Sequence, residues 1–135
     1  KLEHSVINMG GEKYVRILSL VPDKDLGILF NKSLALIYPS LSEGFGLQGL
    51  EAMACGTLVL ASEIPVFKEV YNKNAIYFDP RKVSSIAGVL QKAIVMSPAK
   101  RFEIIETGKK FISKYSWDKM AKETLKIYED CDRLR

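Results

Sequence analysis

The fold class this sequence predicts is α/β: a parallel sheet covered by helices. Three observations predict it. Short apolar runs alternate with segments of helical period, so each strand is followed by a crossover connection. The run 34–38 is continuously apolar, the pattern of a parallel strand buried on both faces. A glycine-rich turn opening a helix follows that run, as expected at the carboxyl edge of such a sheet.

The elements follow in order. Residues 15–20 read as a first strand, ended by Pro22 and Asp23, and Asp23 is expected to cap the next helix. Leu26, Leu29 and Phe30 give that helix its apolar face. The second strand is 34–38, and Pro39 and Ser40 open the turn. A helix over 47–54 ends at Gly56, a residue that adopts positive φ without steric cost. Strands over 57–61 and 75–78 flank a short helix after Pro65, so at least four strands are expected. From Val83 the period is helical, with Val83, Ile86, Ala87, Leu90 and Ile94 inward. Pro98 starts another helix with Phe102, Ile105 and Ile112 inward. Ser116 caps a last one, whose face is Trp117, Met120, Ala121, Thr124 and Tyr128.

The 135 residues suit one domain, read as 1–135, and the composition (47% hydrophobic, 27% charged, net charge +4) excludes disordered and fibrous classes. No apolar run is long enough for a membrane span. The start at Lys1 is neither a Met nor a signal peptide, so the sequence reads as a piece of a longer chain, lacking a strand and helix before it. Residues 100–135 carry ten basic and seven acidic side chains, a solvated surface with a weak attraction for anionic lipid. No arginine cluster or recognition motif supports nucleic acid binding. Two distant cysteines, Cys55 and Cys131, and a single histidine, His4, form no metal-ligand pattern.

The chemistry lies in Glu43-Gly44-Phe45-Gly46-Leu47-Gln48-Gly49-Leu50-Glu51. The first amides of the helix lack intrahelical partners and, with the helix dipole, favour an anion. Gly44 and Gly46 keep side chains away from an approaching ligand, and Phe45 packs under the loop. Glu51, about one turn into the helix, can accept two hydrogen bonds from a ribose diol. Glu43 precedes the glycines, nearer a sugar or its phosphate. The bland alternatives stand beside these: Glu51 as a solvent-facing helix residue, and Glu43 as a cap of the helix amides. The turn matches neither the dinucleotide G-x-G-x-x-G nor the P-loop spacing. A glycosidase dyad is a poor analogy, because the glycine turn separates the two carboxylates.

Tyr38-Pro39-Ser40-Leu41-Ser42-Glu43-Gly44-Phe45-Gly46-Leu47, then Leu50-Glu51-Ala52-Met53-Ala54-Cys55-Gly56, resembles the E-x7-E region of the retaining GT-B glycosyltransferases of family 4, the glycosyl transferases group 1 family. Val59-Leu60-Ala61-Ser62 with Pro65, Glu69 and Val70, then Ile76-Tyr77-Phe78-Asp79-Pro80 and Tyr115-Ser116-Trp117, continue the likeness over nearly all 135 residues. The resemblance implies the C-terminal, nucleotide-sugar-binding domain, a Rossmann-like half of the GT-B fold truncated on its N-terminal side. It implies transfer of a hexosyl group from a UDP-, GDP- or ADP-sugar to an acceptor hydroxyl with retention, needing no cofactor or metal. By the same resemblance Glu51 binds the donor ribose and Glu43 serves the reacting end. Gly44, the amides of Phe45, Gly46 and Leu47, and the Leu47 side chain approach the diphosphate or sugar, while Val21 and Pro22 lie against the base. The acceptor, whether a glycan, a lipid or a small molecule, is held by an absent upstream domain. That domain region also supplies an Arg and a Lys for the diphosphate, so this chain alone is expected to be inactive or weak. The expected location is cytoplasmic, with peripheral contact at the membrane's cytoplasmic face. Two departures stand out: the run Glu63-Ile64-Pro65-Val66-Phe67-Lys68-Glu69 lacks the family's glycines, and His4 matches no family histidine. The competing classes are a non-catalytic GT-B-derived interaction module and another GT-B enzyme such as a phosphorylase or epimerase.

Overall fold

The computed structural model describes residues 2–133; the expected beginning at Lys1 lies outside the described residues. The elements run α1 (Leu2–Asn8), α2 (Asp23–Lys32), β1 (Ala35–Tyr38), α3 (Leu47–Ala54), β2 (Leu58–Ser62), α4 (Pro65–Tyr71), a 3-10 turn (Asn72–Asn74), β3 (Ile76–Phe78), α5 (Val83–Val95), α6 (Pro98–Ile112) and α7 (Trp117–Asp132). The sheet has the order β1-β2-β3, and both pairings are parallel, with Tyr38 opposite Ala61 and Ser62 opposite Phe78.

All five residues of β2 are buried, and its side chains alternate between two layers. Val59 and Ala61 join Leu50, Met53, Phe67, Val70 and Tyr71 beneath α3 and α4. Leu58 and Leu60 join Phe78 and Ala93, with Ile86, Val89 and Leu90 of α5 and Ile104 of α6 packed against them. The α/β class with a parallel, helix-covered sheet is therefore as the sequence predicts.

Helix α3 ends as its sequence requires. Gly56 takes φ +78°, its amide donates to Met53 O (3.0 Å), and the Thr57 amide donates to Ala52 O (2.9 Å). This is the paired closure that satisfies the last carbonyls of a helix. Helices α6 and α7 open on the hydroxyls of Ser97 and Ser116, which accept from the amides of Lys100 and Lys119.

Several expectations are corrected. Residues 15–20 form no strand; Val15, Ile17, Leu18 and Leu20 are exposed, and β1 is the sheet edge among the described residues. Among the described residues three strands, not four, are formed, since an apolar run becomes a strand only with a ladder partner. As an edge, β1 is covered only in part, and Ile37 is 40% exposed. Asp23 is the first helical residue of α2; Pro22 holds the cap position without a side-chain bond. In α2, Leu29 stays exposed while Phe30 is buried. In α5 the inward stripe is Ile86, Val89, Leu90 and Ala93, whereas Val83, Ala87 and Ile94 face outward. The small Ala93 lets the helix close on the sheet, and its carbonyl is taken by the Arg101 guanidinium, which also donates to Leu34 O (2.8 Å). In α6, Phe102 is exposed; Ile104 and Gly108 turn inward with Ile105 and Ile112 half-buried, and Gly108 lies against Met53. The expected face of α7 is exposed throughout, and no residue of the helix is buried.

Three tyrosines pack in the layer beneath α3 and α4. Tyr77 donates to Phe67 O (3.1 Å) and Asn72 O (2.5 Å), and burial pushes its pKa up to about 12 from its ordinary 10.0. Tyr38 and Tyr71 are also raised, first by burial. For a phenol whose folded pKa is raised, the stabilisation is complete below pH 10 and is lost as pH rises toward the folded value. Thermal midpoints measured upward from pH 9 should therefore fall steeply between about pH 10 and 12. Tyr77→Phe should flatten that fall; an unchanged slope in Tyr77→Phe would remove Tyr77 from the cause.

Candidate functional site

The turn from β1 to α3 leaves the carboxyl edge of the sheet, where an open parallel sheet places its ligands. Gly46 holds the cap position of α3 with φ +89° and ψ 47°, a left-handed conformation that an L side chain resists. No side chain caps α3, so its first amides stay available to an anion.

The packing beneath the turn explains two of its glycines. The Tyr71 hydroxyl donates to Gly46 O at 2.5 Å. A Cβ at Gly46 would lie 2.3 Å from that hydroxyl and 2.6 Å from Phe67 Cε1, and one at Gly49 would lie 2.4 Å from Tyr71. Tyr71 and Phe67 are fully buried and stacked, with centroids 5.0 Å apart and an interplanar angle of 27°. Gly46 thus keeps the backbone close to an internal tyrosine, whereas Gly44 has open space around it. Phe45 does not pack under the loop. It is 43% exposed and meets Tyr115 edge-on, at 5.9 Å and 88°. Leu47 is exposed beside it.

Glu43 is half-buried and held. The Ser40 hydroxyl donates to its Oε1 at 2.5 Å, and the Tyr38 phenol lies within reach of its charge. Glu51 is exposed on α3. Burial raises the Tyr38 pKa first, then the neighbouring carboxylate of Glu43, then the charge of Glu51. The charges of both carboxylates, with seven residues between them in sequence, thus reach this one phenol. Tyr38 meets Phe67 at a tilt, with centroids 4.7 Å apart and planes at 43°.

Val21 is half-buried and Pro22 exposed at the start of α2. That helix meets the far end of α3, where Asn31 Nδ2 donates to Cys55 O (2.9 Å) and Gly27 lies beside Cys55 Sγ. These contacts do not carry Val21 or Pro22 to the glutamates. Two concavities also lie away from the glutamate pair. One, of about 670 Å³, is formed by α1 and residues 12–17; the other, of about 400 Å³, lies between Leu41, Glu63, Lys68 and Arg81. The site is an open surface, with two carboxylates, a rigid left-handed turn and free amides. Sequence reading gave Ser40, Tyr38 and Tyr71 no role at the site, although Tyr38 and Ser40 lie in the stretch that carries the resemblance.

Among the described residues no helix is long and apolar enough to cross a membrane. The family profile described as glycosyl transferases group 1 matches residues 1–111. The O-antigen chain mannosyltransferase RfbU of Salmonella typhimurium is 35% identical over 119 residues, covering 88% of this chain and 32% of that protein. The uncharacterized glycosyltransferase MJ1607 of Methanocaldococcus jannaschii is 31% identical over 130 residues, covering 95% and 33%. The chain thus spans about a third of the length of these relatives. Among solved structures, sucrose-phosphate synthase from Thermosynechococcus elongatus superposes with TM-score 0.89 at 21% identity, covering 99% of this chain and 34% of that one. A glycosyltransferase from Rickettsia africae gives 0.85 at 22%, covering 96% and 35%. These likenesses establish the fold as one Rossmann-like half of a GT-B glycosyltransferase. The profile match corrects the sequence reading in one respect. The assignment as a C-terminal, donor-binding domain over nearly the whole chain is not retained, because the match is to the group 1 domain over residues 1–111. On that match, which takes in residues 1–111 of the 135, this chain belongs to the glycosyl transferases group 1 family.

Proposed function

We propose that the protein transfers a sugar from a nucleoside diphosphate sugar to an acceptor hydroxyl with retention of configuration, and that the β1–α3 turn of this chain holds the donor. The observation that carries the reading is the left-handed Gly46 turn opening α3 without a side-chain cap, set between Glu43 and Glu51. In this reading Glu51 accepts from the ribose hydroxyls. Gly44 and the amides of Phe45, Gly46 and Leu47 face the diphosphate, and Glu43 serves the reacting end. Val21 and Pro22 line the base. Charge developing on the departing diphosphate is stabilised by fixed amide dipoles, which cost no reorganisation during reaction.

Residues 1–135 act as one donor-contacting unit. The acceptor, a glycan, a lipid or a small molecule, is held outside this chain, whose share of its relatives' length leaves room for a second domain. The donor is a UDP-, GDP- or ADP-sugar, and mannose is the sugar to test first. RfbU and a second relative, 31% identical over 118 residues, are both named O-antigen chain mannosyltransferases. The protein acts in the cytoplasm, with peripheral contact at the membrane.

Calorimetric titration of the full-length protein with UDP, GDP and ADP tests the reading. Glu51→Gln keeps the shape but weakens charge-assisted bonds, so nucleotide affinity should fall by about 1–2 kcal/mol, roughly five- to thirtyfold. Unchanged affinity in both Glu51→Gln and Glu51→Ala would exclude the ribose role.

A further inference from the structure

The geometry points to Tyr71 as a positioning residue for the donor diphosphate, acting through the peptide unit between Gly46 and Leu47. The inference rests on the donor reading of the β1–α3 turn. Tyr71 lies 25 residues from Gly46 in sequence and contributes no atom to the open face of the site. Its hydroxyl nevertheless ends on the carbonyl of the residue that caps α3, at 2.5 Å.

That carbonyl and the Leu47 amide belong to one planar peptide, and no peptide bond among the described residues is cis. In a trans unit the C=O and N–H point in opposite directions. Clamping the oxygen inward on a fully buried phenol therefore aims the Leu47 N–H outward, toward the ligand side. Gly46 O also accepts from the Gly49 amide (3.2 Å), so it carries two donors. Hydrogen bonds to a carbonyl polarise its peptide unit and strengthen the N–H of the same unit as a donor. One phenol thus sets both the direction and the strength of the amide that faces the diphosphate.

The tyrosine is suited to this. Burial, the largest cause, raises its pKa, so the hydroxyl keeps its proton and remains a donor. Its ring is fixed by stacking on Phe67, and Gly46 and Gly49 admit it only because neither carries a Cβ. A residue serving packing alone would need the ring; the hydroxyl bond to the cap is what a positioning role adds.

Tyr71→Phe in the full-length protein separates the two, since it keeps the ring and deletes the hydroxyl. Affinities for UDP, GDP and ADP should be compared with those for uridine, guanosine and adenosine, using calorimetry and ligand-observed NMR. Tyr71→Phe should weaken the preferred diphosphate about three- to tenfold and leave its nucleoside within about twofold. Phe78→Leu, in the opposite core layer, is the stability control and should weaken neither. Diphosphate affinity unchanged in Tyr71→Phe would overturn the inference while leaving the donor reading intact. Equal losses for diphosphate and nucleoside, matched by Phe78→Leu, would also overturn it by showing a structural effect only. A wild-type protein that binds none of the three diphosphates would overturn the donor reading itself, and this inference with it.

Discussion

Gly46→Ala should destabilise the protein by about 2–5 kcal/mol, one of the two largest effects expected from a single substitution here. Two independent costs combine. The left-handed backbone at φ +89° disfavours any Cβ by about 1–2 kcal/mol. The new methyl would also meet the Tyr71 hydroxyl at 2.3 Å and Phe67 Cε1 at 2.6 Å, and overpacking of that kind costs about 1–3 kcal/mol. Neither ring has room to retreat, since both are fully buried and stacked on each other. Gly44→Ala is the internal contrast. Nothing lies within 4 Å of a Cβ there and its φ is not positive, so the change should stay within about 0.5 kcal/mol. Urea denaturation of both variants reads the difference directly. Similar midpoints for the two would show that the turn relaxes and that Gly46 is not structurally required.

That contrast also shows what the sequence could and could not reveal. Both glycines read alike as openings for a ligand, yet only Gly46 is needed by the fold. The reason is a tyrosine 25 residues downstream. Features decided by neighbours in sequence were legible: the β1–α3 turn, the Gly56 closure of α3, Pro65 and Pro98 at helix starts, and the cap at Ser116 for α7. Features decided by partners were not. Residues 15–20 have a strand's composition but no ladder partner among the described residues. In α5 two apolar stripes overlap, and Ala93 wins over Ile94 because a small side chain brings the helix onto Leu58 and Leu60. The stripe on α7 is amphipathic in sequence and exposed in the structure.

The site divides the same way. Glu43, Glu51 and the uncapped amides follow from spacing alone. Their supports do not, because Tyr38 on β1 and Phe67 and Tyr71 on α4 read as apolar positions of two separate elements. Only the packing shows that they form one aromatic column, from Tyr38 through Phe67 to Tyr71, running beneath both the catalytic candidate and the cap. The column joins core stability to site geometry, so substitutions in it should affect both.

Glu43→Gln should lower kcat by about 10²-fold while donor KM stays within about threefold. The carboxylate accepts from the Ser40 hydroxyl at 2.5 Å, so its orientation is set before the donor arrives. An amide can keep that one acceptor oxygen, but the negative charge at the reacting end is lost. The ribose and diphosphate contacts assigned to Glu51 and the α3 amides are untouched, which is why KM should hold. Ser40→Ala removes the support and leaves the charge, so its kcat loss should be smaller, about three- to tenfold. Steady-state kinetics of the full-length enzyme, with circular dichroism to confirm the fold, measures both. A normal kcat and donor KM in Glu43→Gln would remove Glu43 from the reaction. A loss confined to KM would move it to ground-state donor binding, since only an interaction that strengthens on the way to the transition state changes turnover.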